Sequence, residues 1–95
     1  MKTKSEIQAE IACIDAEILK CQAWANYWVH FATSQANYNR KLQKSVNGEW
    51  VEMTVIEKEQ DAFQIANNHI TRIEDLGLKK SELVKSLPGA PLISY

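Results

Sequence analysis

Apolar or small residues recur at Ile7, Ile11, Ile14, Ile18, Cys21, Ala25, Trp28 and Ala32, in steps of four and three. That series keeps to one helix face over several heptads. It predicts a helix from about residue 5 to the late thirties, opened by Ser5 with Gln8 three positions on as a capping box. Such a rod is on the order of 50 Å long at 1.5 Å per residue. The rest of a 95-residue chain is too short to cover it. Part of the rod is therefore expected to meet another molecule or another copy of itself.

A second helical stripe runs through Phe63, Ala66, Ile70, Ile73 and Leu76. Thr54 and Glu57 supply a capping box at its start, and Gly77 is placed as the residue that ends it, giving a helix from about Val55 to Leu76. Ser81 to Leu87 can make two further turns as a short third helix. Pro88-Gly89-Ala90-Pro91 then breaks regularity, because proline removes a backbone donor and restricts the residue before it. Leu92-Ile93-Ser94-Tyr95 is left as an extended apolar tail.

Between the two long helices lies the one stretch with a different pattern, Ser45 to Val55. Asn47-Gly48 suits the two central positions of a type I′ hairpin turn, both of which need positive φ. That placement opposes Val46 to Glu49, Lys44 to Val51 and Leu42 to Met53. Leu42, Val46, Val51, Met53 and Val55 then share a face expected to rest on the helices, with Ser45, Trp50, Glu52 and Thr54 on the other face. A lone two-stranded hairpin is marginal in water, so it must rest on something or offer itself to something. The fold class expected is α+β and mostly helical. Its parts are a long helix, a short antiparallel β-hairpin, a second helix, a short third helix and an extended C-terminal tail. Residues 1–87 form a single helix–hairpin–helix domain and residues 88–95 the tail.

Eleven basic and twelve acidic residues leave no net field that would draw nucleic acid or an anionic membrane. Apolar and charged contents of 45% and 24% are those of a folded chain rather than a disordered one. The polar, charged start "MKTKSEIQAE" is not a secretory core. Cys13 and Cys21 sit eight positions apart on one helix, roughly 12 Å along its axis. They cannot bridge each other there, and both are expected as reduced, packed thiols.

Cys21 to Asn39 contains no Lys, Arg, Asp or Glu. A membrane span is excluded, because Gln22, Asn26, His30, Thr33, Ser34, Gln35, Asn37 and Asn39 would be stranded in hydrocarbon. Charge depletion with aromatic enrichment is instead the composition of a protein–protein interface centre. Trp28 lies on the heptad stripe and is expected mainly in the core, with Trp24, Tyr27 or Phe31 partly given to a partner. For any one of these taken singly, core is the commoner fate. Trp50, on the outer face of the hairpin near its tip, reads as a contact residue, although a lone surface aromatic is ordinary. The candidate interface is thus Trp24, Tyr27, Phe31, Tyr38 and Trp50, with Leu92, Ile93 and Tyr95 of the tail.

Little supports catalysis. His30 and His69 lie on different helices without a carboxylate or cysteine at ligand spacing, and are expected as partly buried helix residues. Three glycines form no phosphate loop, and no nucleophile motif is present. Asp15/Glu17 and Glu57/Glu59 stand two apart on helices and so point to different faces. Arg40-Lys41-Lys44 and Lys79-Lys80-Lys85 have the size of ordinary solvated clusters. No enzyme, cofactor or metal is expected.

The order helix, one short hairpin, helix, and a Pro/Gly-broken tail resembles the head-completion (head–tail joining) protein W family of lambda-like tailed phages. The nearest local likeness is Asn47-Gly48-Glu49-Trp50-Val51-Glu52-Met53-Thr54. In that family a turn glycine precedes a Val-Glu-aromatic-Thr strand that leads through a short polar stretch into the second helix. His69-Ile70-Thr71-Arg72-Ile73-Glu74 is similar to the family's second-helix core. Pro88 to Tyr95 is similar to its aromatic-rich tail, which the family needs in order to work. The likeness covers roughly Leu42 to Tyr95. It implies a virion protein of the neck, made in the host cytoplasm and arranged as a homo-oligomeric ring beneath the portal. Its partners would be itself, the portal protein and tail or neck proteins, with incidental contact to packaged DNA and none to membrane. Two rivals stand beside it. One is a small phage-encoded inhibitor or regulator that binds a host protein through the aromatic patch. The other is a coiled-coil dimer built on the Ile7–Ala32 stripe.

Overall fold

The computed structural model describes residues 2–87. Helix α1 spans Lys4–Ala32, a single-turn helix α2 spans Gln35–Tyr38, strands β1 and β2 span Gln43–Val46 and Glu49–Glu52, and helix α3 spans Val55–Lys85. The class is mostly helical α+β, with one antiparallel hairpin between helices. Pro88 to Tyr95, where the tail was expected, lies outside the described residues.

Helices α1 and α3 pack side by side and antiparallel, as the Asp15–Lys80 ion pair (2.7 Å) and the Asn37–Lys58 bond beyond the end of α1 (3.2 Å) require. The α1 contribution to the seam is the series read from sequence: Ile7, Cys21, Ala25 and Ala32 are buried, and Ile11, Ile14, Ile18 and Trp28 half-buried. On α3 the seam is Lys58, Ala62, Ala66, His69, Ile73, Leu76, Lys80 and Leu83, again in steps of four and three after the first. The expected α3 stripe was partly one position off. Phe63 and Ile70 lie exposed beside the seam, and Ala62 and Ala66 occupy it. Alanines there let the two backbones approach closely, and the large side chains are left to the flanks.

Three boundaries differ from the sequence pattern. The start of α1 is capped by Thr3, whose hydroxyl accepts the Glu6 amide (3.2 Å), rather than by Ser5. The first helix also stops at Ala32 instead of reaching the late thirties. Ser34 Oγ donates to Phe31 O (2.6 Å) and accepts from Asn37 N (3.2 Å), offering the backbone local partners that compete with the helix. The second helix does not end at Gly77, and the short third helix is no separate element: α3 runs 31 residues through both. A helix-interior glycine costs about 1 kcal/mol. What offsets it lies beyond the glycine, where the continued helix half-buries Leu83 in the seam and pairs Lys80 with Asp15 (2.7 Å). As a result α3 is as long as α1, and the Ile7–Ala32 stripe is covered by the chain's own second helix.

The hairpin has the expected register, with Lys44 opposite Val51 and Val46 opposite Glu49, and Met53 N extends the ladder to Leu42 O (2.8 Å). Asn47 and Gly48 take φ of 52° and 84°. Its apolar face, however, is covered only at the base. Leu42 and Met53 are half-buried, whereas Val46, Val51 and Val55 are exposed, and no helix runs alongside either strand. The hairpin projects from the end of the helical pair. Ion pairs from Lys44 to Glu57 and from Glu52 to Lys58 (3.9 Å) tie its base to the first turn of α3. The radius of gyration is 19.8 Å, against about 12 Å for a compact chain of this length. Such an elongated two-helix body leaves long helix flanks without cover.

Candidate functional site

The distinctive surface lies at the end where α1 gives way to α2 and the hairpin. Trp24, Tyr27, Trp28 and Phe31 follow one another along α1 at spacings of three, one and three, which keeps them on one flank beside the seam. Each ring meets the next. Trp24 packs edge-on to Tyr27 (5.8 Å between centroids), Tyr27 stacks on Phe31 (5.6 Å), and Phe31 meets Trp28 edge-on (5.2 Å). His69 of α3 lies parallel to Trp24 at 6.4 Å. Such pairs add about 0.5–1.5 kcal/mol each beyond burial, so the patch is preformed rather than loose.

Arg40 anchors the patch from the far side of the chain break. Its guanidinium sits 5.6 Å from the Trp28 ring centre and 5.3 Å from that of Phe31. It is held there by Asn37 Oδ1 (2.7 Å) and by an ion pair with Asp61 (3.2 Å). Asn37 is itself fully buried. Its amide donates to Ala32 O (2.6 Å), an orphan carbonyl at the end of α1, and to Lys58 O (3.2 Å) on α3. Lys58, also buried, donates to Tyr38 O (2.8 Å). One amide side chain therefore closes α1, docks α2 on α3 and positions the cation over the aromatics. At the hairpin base, the Lys44 ammonium beside Glu57, together with the Thr54 amide at the capping box, holds the Glu57 carboxyl below the ordinary carboxylate range.

Among the residues read from sequence as a candidate interface, Trp24 is 46% exposed, Tyr27 51% and Trp50 71%, while Phe31 and Tyr38 are half-buried. Trp28, expected mainly in the core, is only half-buried under Arg40. Leu92, Ile93 and Tyr95 lie outside the described residues. Beside the rings, Ala23, Asn26, Tyr27, His30, Phe31, Ser34 and Ala36 line a shallow hollow of about 700 Å³. His30 is exposed at its edge rather than partly buried as expected, and His69 is half-buried. Cys13 is exposed, in contrast to the packed thiol expected, and Cys21 is buried in the seam.

Arg40, Asn37, Asp61 and Lys58 were not singled out from sequence. Arg40 was grouped with Lys41 and Lys44 as a solvated cluster. The available signal was its position, the first cation after an uncharged aromatic stretch. Among the described residues no three His, Cys, Asp or Glu side chains are arranged to hold a metal ion, and no helix is long and apolar enough to cross a membrane. No protein-family model, curated protein or solved structure matches the chain.

Proposed function

We propose that this protein is a structural assembly subunit that works by protein–protein contact. On the resemblance in the hairpin and second helix, its place is the phage neck, where copies form a ring beneath the portal, complete the head and join it to the tail. The observation that carries this reading is the open end of the helical pair. A preformed aromatic patch stands half exposed there, and beside it a hairpin carries an exposed Trp50 on one face and uncovered valines on the other. Aromatic anchors with a positioned arginine are the side chains that dominate interface energetics. A projecting hairpin with no support of its own gains stability by packing on a neighbour.

The test is the mass of the purified protein alone and with the portal protein of its own genome. A defined ring, or a stoichiometric complex with the portal protein, supports the reading. Trp24→Ala and Phe31→Ala should weaken that association by tenfold or more, at roughly 2 kcal/mol per anchor, with a smaller loss of thermal stability. A monomer that ignores the portal protein sinks the neck reading, and a matched loss of stability and association returns the aromatics to the core.

A further inference from the structure

On α3 a second apolar series stands apart from the seam: Ile56, Phe63, Ile70, Gly77 and Val84, each seven residues from the last. Ile56 is 66% exposed, Phe63 and Ile70 each 40% and Val84 41%, so the chain's own α1 does not cover this series. One position repeated every seven residues forms a single column along the helix, drifting by only about 20° per repeat, along which a further helix can lie. We propose that its occupant is α3 of a second copy, running antiparallel about a twofold axis at Ile70.

Three observations favour that partner. The series is self-complementary when reversed: Ile70 meets its own copy, Phe63 meets Gly77, and Ile56 meets Val84. The largest side chain thus faces the residue with none. Gly77, moreover, has no reason in the single chain, since a Cβ added there would meet no atom within 4 Å, and its φ is not of the left-handed kind that favours glycine. A helix former at that position would stabilise α3, so the vacancy is explained by what the partner inserts. Charge agrees to a smaller degree. Glu57 and Asp61 are paired within the chain, which among the described residues leaves Glu59 as the free acid of residues 55–69. Antiparallel pairing about Ile70 sets Glu59 opposite Ser81, in the stretch that carries Lys79 and Lys85, whereas parallel pairing sets it against its own copy. A twofold contact uses the same patch on both copies and closes at two. This inference does not rest on the neck reading, because the aromatic patch belongs to α1 and this series to α3.

Sedimentation equilibrium of the full chain across a concentration series tests it. The wild-type chain should dimerise. Ile70→Glu places two unpaired carboxylates at the twofold axis and should weaken dimerisation about a hundredfold or more. Gln64→Glu adds the same charge about 120° round the helix and should leave it unchanged. Gly77→Leu should hold or raise helicity while weakening the dimer about tenfold, because it fills the space opposite Phe63. In a Cys13→Ser background, a mixture of Phe63→Cys and Gly77→Cys chains should form a mixed disulfide, with little self-linking of either alone. A chain that stays monomeric at every concentration overturns the proposal. So does an Ile70→Glu chain that associates like wild type, or Phe63→Cys linking chiefly to itself.

Discussion

Asn37→Ala removes the one side chain that joins α1, α2 and α3. It deletes two donated bonds, to Ala32 O and Lys58 O, and one accepted from Arg40. Ala32 O is the critical loss, because it lies at a helix end and in a buried site. A buried polar group left without its partner costs about 1–3 kcal/mol. The bond from the Arg40 cation is worth about 1.5–3 kcal/mol in isolation, but half-buried Arg40 recovers much of that from water and Asp61. The cavity left by the amide adds a smaller cost, and these contributions overlap rather than add. The expected loss is about 3 kcal/mol, or about 12–24 °C in melting temperature for a chain of this size. Thermal unfolding followed by far-ultraviolet circular dichroism measures it, and near-ultraviolet dichroism should report loosening of Trp28 and Phe31 once Arg40 is free. Asn37→Asp keeps the acceptor for Arg40 but loses the amide donors, so it should retain more of the aromatic signal than of the stability. A melting temperature within a few degrees of wild type for Asn37→Ala would show that the break after Ala32 is held by Ser34 and backbone alone.

Further outcomes follow from the same geometry. Gly48→Val forces a branched residue to φ of 84° and should abolish amide-exchange protection in β1 and β2 at a local cost above about 1 kcal/mol. Because no helix lies along the strands, the main thermal transition should move little; a large shift would mean the hairpin is coupled to the helical core. The depressed Glu57 carboxyl contributes stability above its unfolded value of 4.5, and that contribution is lost as pH falls through the lower folded value. Lys44→Met should reduce this acid-side dependence, leaving the part held by the Thr54 amide, and an identical dependence in the two chains through that window would refute the link. Ala66→Leu forces three extra carbons between helices in close approach and should cost about 1–3 kcal/mol by chemical denaturation; a neutral result would mean the seam can open there freely.

The readily legible parts of this fold were those written in local chemistry. The Ile7–Ala32 series was visible because nearly every position is consistently apolar or small, and the hairpin register followed from two residues that both accept positive φ. The α3 seam was harder. Its true positions include Lys58, His69 and two alanines, while Phe63 and Ile70, the obvious apolar residues, belong to a neighbouring stripe. The stop after Ala32 was not legible, since it depends on Asn37 finding a carbonyl on Lys58, 21 residues away. Nor was the passage of α3 through Gly77, where tertiary contacts of Lys80 and Leu83 beyond it outweigh the local cost of glycine. At the candidate site, the partial exposure of Trp24 and Tyr27 could be read from spacing and charge depletion, while that of Trp28, expected mainly in the core, could not. The arginine placed over them could not, because its position follows from the chain break.

The buried Asn37 amide also sets an order of events in time. Its bond to Lys58 closes a loop of 21 residues, whereas the Asp15–Lys80 pair farther along α1 spans 65 positions. Reaching directly for the distant pair would cost roughly 1 kcal/mol more in loop closure than reaching for the near one. Once the near end is fastened, each later turn of α1 meets α3 with almost no further loop to close. Folding is therefore expected to advance as a zip from Asn37 toward Asp15, with opening running back the same way. Amide exchange along α1 would record this as protection that fades steadily toward Lys4.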